Sequence, residues 1–345
     1  WVARVNMQYN EGNSNENQFQ ARGPYDIDGN SYQNYQYFTD QDFTVYSAEA
    51  NMFGDVSLFG REHTLFFGVD YAETSLDRHG AETGVTGYGN SVYNIYDPDY
   101  SVAEIPYDSR SSIFAAFQEN AFFGVSAQAI LNPIDRVKVL IGGRFSHDSS
   151  SSVFKGGQAS IADAIAVREL GSDEPQLTWS KFVKQFAVTY ELTDAVNLYA
   201  SYGESFEPST RREASGLLID PEEGRNHEIG IKGDYAGLWG FNLAVFNMSR
   251  TNIALADLTN PGFYAPVGVQ RSRGIEVSVQ GTILPGLNIY GAASYLDAEY
   301  TKGQYAGVKP GNSPEFGLSV FGTYELLKGP LSGLGFGLGL VHKSG

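Results

Sequence analysis

The amino-acid sequence predicts an all-β protein, specifically a transmembrane β-barrel whose antiparallel strands are connected up and down. Three observations lead to this fold class. Apolar and polar residues alternate along many segments, the segments are about twice as long as strands of soluble sandwiches, and short connections alternate with long ones. Composition agrees, because the 345 residues include 40 Gly, 22 Tyr and 22 Phe, which favour turns and strands over helices.

The alternation is clearest in residues 269–300. There Ile275 and Val277 share one parity, and Glu276 and Ser278 share the other. A period of two is expected of a strand whose two faces meet different surroundings. Because hydrocarbon offers backbone amides no partner, only a closed sheet can place such strands in a bilayer. We therefore expect the apolar set to face lipid and the polar set to face a wet interior.

Thirteen strands are predicted along the chain from this alternation and from the turn residues between them. Their ranges are 1–9, 44–58, 63–76, 111–131, 136–148, 177–191, 196–206, 225–235, 241–251, 270–284, 287–300, 314–327 and 333–345. Short connections rich in Gly, Pro, Asn and Asp are expected at 60–62, 132–135, 193–194, 236–238, 285–286 and 328–330. The long connections are 10–43, 77–110, 149–176, 207–224, 252–269 and 301–313.

Because short and long connections alternate, all the short ones lie at one end of the meander and all the long ones at the other. Outer-membrane barrels have this arrangement, with short periplasmic turns and long extracellular loops.

In residues 177–192, Phe182 and Phe186 follow the apolar parity, while Lys184 breaks it. A Lys at the bilayer midplane would cost about 2–4 kcal/mol, falling to about 0–1 kcal/mol near the interface. Counting from the turn at Thr193 places Lys184 near the outer rim, where its amine reaches the headgroups.

Charge and composition exclude several functional classes. The formal net charge is −17, and the chain lacks the basic stripe that would neutralise nucleic-acid phosphates. It has no Cys, which excludes disulfide frameworks and zinc–cysteine sites. The five His are scattered without metal-ligand spacing, and no Ser stands in a nucleophile elbow. We therefore assign no catalytic residue and no metal site, and we expect a protein that is not an enzyme.

Longer stretches of sequence carry a family resemblance. They are SLFGREHTLFFGVDY (57–71), AQAILNPIDRVKVLIGGRFS (127–146), LYASYGESFEPS (198–209), LLIDPEEGRNHEIGIKGDY (217–235), FNLAVFNMSRTNIALAD (241–257), VGVQRSRGIEVSVQG (267–281), IYGAASYLDAEYTK (289–302) and GNSPEFGLSVFGTYEL (311–326). In order and spacing the chain resembles the TonB-dependent siderophore receptors of Gram-negative outer membranes. The resemblance covers most of the chain and is weakest in 10–43, 77–110 and 149–176.

The resemblance implies a function and a set of partners. Complete members enclose an N-terminal plug in a 22-stranded barrel, so residues 1–345 are expected to be a partial barrel without the plug and the terminal strands. The implied activity is import of ferric siderophore complexes with energy from TonB–ExbB–ExbD, which acts through the plug. Iron travels only as the chelate, no cofactor is bound covalently, and outer-membrane lipid and lipopolysaccharide surround the barrel.

Two other hypotheses remain open at this point. A passive porin-type or structural outer-membrane barrel would show the same alternation of residues without a plug or an energy-coupling segment. A secreted carbohydrate-binding β-protein would stay in the aqueous phase without detergent.

Ligand capture is expected in the long connections that carry aromatic and basic residues. The candidate ligand-binding residues are Tyr93, Tyr96, Tyr100, Arg211, Arg212, Phe263 and Tyr264. Aromatic rings can bury the apolar body of a chelator while their hydroxyls bond its polar edge. The two arginines would attract an anionic complex to an otherwise acidic protein.

A second pair of arginines, Arg271 and Arg273, lies at the loop end of its strand. Either both share one face beyond the membrane, or a bulge near Gly274 puts them on opposite faces. In both cases we expect them to pair with carboxylates of the rim or with lipopolysaccharide phosphate, and not with substrate.

Overall fold

A computed structural model describes residues 1–22, 31–82, 92–94, 112–158, 160–169, 176–257, 259–260, 262–303 and 305–344. Within these ranges the chain forms one sheet of 14 strands and one short helix. The strands are β1 (Val2–Arg22), β2 (Ser31–Leu58), β3 (Arg61–Glu82), β4 (Val92–Asn94), β5 (Ser112–Ile134), β6 (Val137–Gln158), β7 (Leu177–Thr193), β8 (Val196–Glu207), β9 (Glu222–Tyr235), β10 (Trp239–Ala256), β11 (Tyr264–Leu284), β12 (Leu287–Lys302), β13 (Phe316–Glu325) and β14 (Gly335–Ser344). The helix α1 (Ile161–Glu169) lies between β6 and β7.

Successive strands pair antiparallel in chain order, except that β3 pairs with β5 and the short β4 adds to β2. This order confirms the all-β, antiparallel, up-and-down fold class. In the part of the chain that the structure describes, β1 and β14 do not pair with each other, so the sheet is open and does not close into a complete barrel.

The short connections lie at one end of the sheet, called here the turn end; the opposite end is the loop end. Phe59 and Gly60 have φ angles of 53° and 76°, and Ala236 and Gly237 have φ angles of 52° and 68°. Two successive residues with positive φ form the hairpin turn that matches the twist of the flanking strands. The turn predicted at 60–62 is thus Phe59–Gly60, because β3 already begins at Arg61.

The predicted loops were too long at the loop end. The strand predicted over 1–9 continues to Arg22, and the next begins at Ser31 instead of residue 44, so much of the predicted loop 10–43 is paired sheet. Beyond the membrane both faces of a hairpin meet water, so the alternation disappears although the backbone groups still require partners. The strand β4 and the helix α1, which lie in the predicted connections 77–110 and 149–176, were also missed.

The strand registers separate an apolar face from a polar one. Val277 lies opposite Leu243 on β10 and opposite Ala293 on β12, whereas its neighbour Glu276 lies opposite Ala244 and Ser294. Val277 is 44% exposed and therefore does not lie in a sealed protein core. We call the side of Val277 the outer face and the side of Glu276 the inner face. These names follow the predicted lipid and lumen sides.

Above the apolar part of the outer face the residues become polar. Register places His227, Asn247, Arg273 and Asp297 side by side, and the next level holds Arg225, Ser249, Arg271 and Glu299. These eight residues form the outer polar row. Because polar side chains replace apolar ones at the same parity, this row marks the loop-end border of the lipid-facing band.

The two arginines of β11 share the outer face, since the register runs through Gly274 without a shift. Arg273 Nε lies 2.8 Å from Asp297 Oδ2, and Arg271 forms an ion pair with Glu299. The alternative of a bulge near Gly274 is therefore wrong, and the predicted pairing with rim carboxylates is confirmed.

Lys184 also lies on the outer face near this border, 3.9 Å from Glu204, with half of its side chain exposed. Its position fits the prediction of an amine near the rim that reaches polar surroundings.

The small helix α1 seals a patch at the loop end of β3, β5 and β6. Ser160 caps it, because its hydroxyl accepts a hydrogen bond from the Asp163 backbone N–H at 3.1 Å. Ala164 packs in a buried cluster with Ala81, Ile113 and Ala115. Among the described residues no helix is long and apolar enough to cross a membrane.

Candidate functional site

At the loop end, the segment after β8 meets the start of β11. The Arg211 guanidinium lies over the Tyr264 ring, with Cζ 4.5 Å from the ring centroid. Its Nη1 also donates a hydrogen bond to the Tyr264 hydroxyl at 2.8 Å. The arginine is therefore held by a cation–π contact and a hydrogen bond at once, although the two residues are 53 positions apart.

Arg212 uses its side chain to close its own loop. Its Nη1 donates to the Gly216 carbonyl at 2.9 Å, and a β-bridge joins Arg212 to Leu218. The Arg212 carbonyl accepts from the Tyr264 backbone N–H at 3.0 Å. Gly216 makes this tight loop possible, since its φ of 84° strains residues with a Cβ. Arg212 thus shapes the loop that presents Arg211 to Tyr264.

Asp257 holds the segment that precedes Tyr264. Its Oδ1 accepts from the backbone N–H of Thr259 at 2.8 Å and of Asn260 at 3.2 Å, and its Oδ2 accepts from Asn260 Nδ2 at 2.9 Å. The Asn260 side chain and then the Thr259 N–H lower the pKa of Asp257. The Asp257 N–H donates to the Phe263 carbonyl at 2.9 Å, which closes this turn just before Tyr264. Phe263 is 42% exposed.

A third segment, which follows β12, supports this site. The Tyr305 hydroxyl donates to the Ala256 carbonyl at 3.0 Å, and its ring lies 6.0 Å from that of Tyr300. Tyr300 and Ile253 are buried beneath it. Sequence reasoning missed Asp257 and Tyr305; the Asp-x-Thr-Asn pattern at 257–260, typical of a turn built on an Asp side chain, was the available signal for the first.

The structure brings together four of the seven predicted ligand residues. Arg211, Arg212, Phe263 and Tyr264 form one cluster, which we call the loop cluster. Tyr93 lies in β4, where its backbone pairs opposite Tyr32 of β2. The predicted residues Tyr96 and Tyr100 lie outside the described residues.

The inner face below these loops is polar and closely hydrogen-bonded. The Tyr199 hydroxyl lies 2.6 Å from Glu228 Oε1 and 3.3 Å from Asn242 Oδ1. Its ring lies over Gly230, where a Cβ would meet Tyr199 Cζ at 2.5 Å, and Lys232 Nζ lies 5.4 Å from the ring centroid. Such groups require water or a polar partner in front of them.

An ion pair crosses three strands on the same face. Arg144 of β6 donates from Nη1 and Nη2 to the two carboxylate oxygens of Asp70 on β3, at 2.6 and 2.8 Å. Gly124 of β5 lies beneath the guanidinium and leaves room for it. In the described ranges, no group of three or more His, Asp or Glu residues is arranged to hold a metal ion.

Comparison with known proteins fits this division into an apolar outer face, a polar inner face and aromatic loops. Residues 1–344 match the family described as TonB dependent receptor-like, beta-barrel. The chain belongs to this family. Its members are transporters and receptors, and the barrel lies in the outer membrane of a Gram-negative bacterium. The hypothesis of a secreted carbohydrate-binding protein is therefore wrong.

Individual relatives cover most of the chain. It is 31% identical over 292 residues to the ferrichrome outer membrane transporter/phage receptor of Escherichia coli K12, covering 81% of this chain and 36% of the relative. It is 26% identical to the metal-pseudopaline receptor of Pseudomonas aeruginosa, covering 96% of this chain and 46% of the relative. The chain therefore spans less than half the length of these relatives.

Solved structures share the fold. The ferripyoverdine receptor of the outer membrane of Pseudomonas aeruginosa, bound to ferripyoverdine, superposes with a TM-score of 0.77 at 22% identity. The match covers 98% of this chain and 43% of the receptor chain. At this identity the similarity establishes the barrel fold of the chain.

Proposed function

We propose that this chain is the barrel portion of an outer-membrane receptor that binds ferric siderophore complexes and imports them with energy transduced by TonB. The observation that carries the proposal is the family match over residues 1–344, together with relatives named as receptors for ferrichrome, metal–pseudopaline and ferripyoverdine, whose matches cover 81–96% of this chain. Ferric iron is the cargo of this receptor and reaches it inside the chelate.

The loop cluster provides the first contact with the chelate. Arg211 is exposed and offers the guanidinium hydrogens that Tyr264 leaves free, and Phe263 beside it exposes an apolar ring. An anionic chelate with an apolar body needs this combination of charge and ring surface. Tyr93, Tyr96 and Tyr100 are proposed to add further rings from the connection between β3 and β5.

The polar inner face is proposed to receive the plug. Tyr199, Glu228 and Asn242 line the wall with hydrogen-bonding groups, and Glu276 lies on the same face. A plug domain that carries the TonB-binding segment would bond to this wall and couple the barrel to TonB–ExbB–ExbD. Residues 1–345 then form a partial barrel whose plug and terminal strands lie elsewhere in the complete receptor.

The outer polar row is proposed to lie at the level of the lipid headgroups. Two of its arginines, Arg271 and Arg273, already pair with Glu299 and Asp297, so these two would meet lipopolysaccharide as neutralised pairs. Removing one of these carboxylates would free a cation for a lipid phosphate.

Iron uptake by cells tests the proposal. Cells that produce the complete receptor are supplied with radiolabelled iron on a panel of purified siderophores, with and without TonB. We expect uptake of at least one chelate that disappears without TonB. Uptake that is equal in both strains would overturn the proposal and favour a passive porin, and a lack of uptake for every chelate would overturn it as well.

A variant pair tests the loop cluster within the same assay. Arg211→Gln removes a charged donor that we expect to contribute about 1.5–3 kcal/mol to the binding of an anionic chelate, or about tenfold or more in affinity. Arg136→Gln removes an exposed arginine at the turn end and serves as the control. If the two variants bind the chelate with equal affinity, Arg211 does not contribute to the binding site.

A further inference from the structure

A second arginine–aromatic cluster lies far from the loop cluster, on four neighbouring strands. It consists of Tyr37 on β2, Arg78 on β3, Phe114 on β5 and Phe154 on β6. Arg78 is eight residues from Asp70 along an unshifted register and therefore shares the inner face with it. The other three share that face by their pairing with β3 and β5. The cluster thus faces the interior at the loop end.

Three rings form a continuous stack in this cluster. The Phe114 centroid lies 6.2 Å from that of Tyr37 and 5.6 Å from that of Phe154, with interplanar angles of 20° and 23°. Gly80 lies opposite Phe114, and a Cβ there would meet Phe114 Cζ at 2.8 Å, so glycine makes room for the ring. Phe114 is 5% exposed, but Phe154 is 63% exposed. A buried ring therefore supports a ring that is open to the interior.

Arg78 completes the cluster with a hydrogen-bond donor that has no partner. Its Cζ lies 5.6 Å from the Phe114 centroid. Its Nε is buried and has no hydrogen-bond partner, and no carboxylate of the described residues forms an ion pair with the guanidinium. A buried donor without a partner costs about 1–3 kcal/mol. Arg78 as a whole is only half-buried, so we expect an acceptor from outside the described residues to meet the rest of its guanidinium.

The register shows where such an acceptor would sit. Ala116 lies directly opposite Arg78 on one side and directly opposite Phe154 on the other. Since neighbouring strands lie about 4.8 Å apart, the Cα atoms of Arg78 and Phe154 are about 10 Å apart. On the strand between them, the register places Ala116, whose side chain is a single methyl group. The result is a trough with a cation on one wall, an aromatic face on the other and Phe114 at its end.

We propose that this trough binds a planar aromatic group that carries adjacent anionic oxygens, such as a catecholate ring of a ferric chelate. The ring stacks on the exposed face of Phe154, and the oxygens accept hydrogen bonds from Arg78. A hydroxamate group offers oxygens without an aromatic face and fits only half of the trough. This inference rests on the proposed function and assigns a substrate class to it, namely chelates with aryl donor groups.

Binding measurements on the complete receptor test the assignment. The affinities of a ferric tris-catecholate, which is anionic, and of a neutral ferric trihydroxamate are measured by quenching of intrinsic fluorescence in detergent. We expect Arg78→Gln and Phe154→Leu each to weaken catecholate binding about tenfold or more and to change hydroxamate binding less than about twofold. Ala116→Leu fills the trough and has the same selective effect. Arg136→Gln is the control, and a heat-dependent shift in gel mobility checks that each variant is folded.

The outcomes separate the two proposals. Equal catecholate affinity in the wild type and in the three folded variants overturns the trough while leaving the receptor function intact. The same conclusion follows if the wild type binds the hydroxamate and not the catecholate, or if the variants weaken both chelates equally. If the wild type binds no chelate, the proposed function fails together with the trough.

Discussion

Replacing Gly124 by alanine tests whether the ion pair between Asp70 and Arg144 depends on the empty space beneath it. A Cβ at position 124 would lie 1.9 Å from Arg144 Nη2 and 2.3 Å from Arg144 Cζ. Neither distance is possible for a real Cβ, so the guanidinium must shift to make room for the methyl group. We expect this shift to disturb the bidentate pair without altering either charged residue.

The expected magnitude follows from two opposing terms. Overpacking and loss of the charged hydrogen bonds cost about 1–3 kcal/mol. We expect a cost in the lower part of this range, because the side chains of Arg144 and Asp70 are 38% and 37% exposed and solvent weakens their attraction. Alanine in a strand is favoured over glycine by about 0.5–1 kcal/mol through the entropy of the unfolded chain. We expect Gly124→Ala to lower the free energy of unfolding by about 0–1.5 kcal/mol.

The sign should reverse when the arginine is absent. In an Arg144→Ala background the new methyl meets no guanidinium, and Gly124→Ala should raise the free energy of unfolding by about 0.5–1 kcal/mol. Gly203→Ala is the matched control, because no heavy atom lies within 4 Å of a Cβ built there. It should be slightly stabilising in both backgrounds.

Urea titrations of the complete receptor in lipid vesicles, followed by tryptophan fluorescence and by the gel shift of folded barrels, measure these differences. The wild type, the two single variants and the double variant together give the interaction energy directly. If Gly124→Ala has the same effect in the wild type and in the Arg144→Ala background, the ion pair does not depend on the glycine, and our interpretation of the close approach is wrong.

Three further predictions concern the lipid face, the loops and the turn end. Val277→Lys should destabilise the barrel in vesicles by about 2–4 kcal/mol because it faces lipid, whereas Ser278→Lys on the inner face should have little effect; equal losses in urea titrations would contradict the two faces. The pKa of Asp257 is lowered, so its ionised carboxylate should stabilise the loop fully at a pH above the ordinary Asp pKa of about 3.9. This stabilisation should be lost as the pH falls through the lowered pKa. Hydrogen exchange of 257–263 should show this pH dependence in the wild type and not in Asp257→Ala. His63, 6% exposed, accepts the Asn132 N–H at Nδ1 at 3.0 Å, so His63→Leu should cost about 1–3 kcal/mol in the same titrations, and an unchanged midpoint would show that this bond is dispensable.

The sequence predicted the fold most reliably where the two faces of a strand meet different media. In β7 and β11 the apolar parity of Phe186 and Val277 identified both the strand and its orientation. At the loop end of β1 and β2 both faces meet water, so polar residues such as Asn13 and Asp40 suggested a loop. They are paired sheet residues, with Asn13 Nδ2 donating to Asp40 Oδ1 at 3.0 Å.

The candidate site was predictable in residue type and only partly in arrangement. Arg211 and Tyr264 stood out as basic and aromatic residues in long connections, but nothing in their local sequence indicates that residues 53 apart touch. The trough was missed for a related reason. Arg78 and Phe154 flank Ala116 only through two strand registers, and a register is fixed by pairing over the whole length of a hairpin.

The outer polar row also determines how deeply the barrel can sit in its bilayer. Same-face neighbours on a strand are about 6.6 Å apart, which is about 5 Å along the membrane normal at the usual strand tilt. Sinking by this step would drag the Arg273–Asp297 pair into the acyl chains, and rising by it would lift Ile275 and Tyr295 into water. Lipids whose chains are longer or shorter than this depth must therefore compress or stretch around the protein. The outer polar row thus sets the local thickness of the leaflet beside these strands.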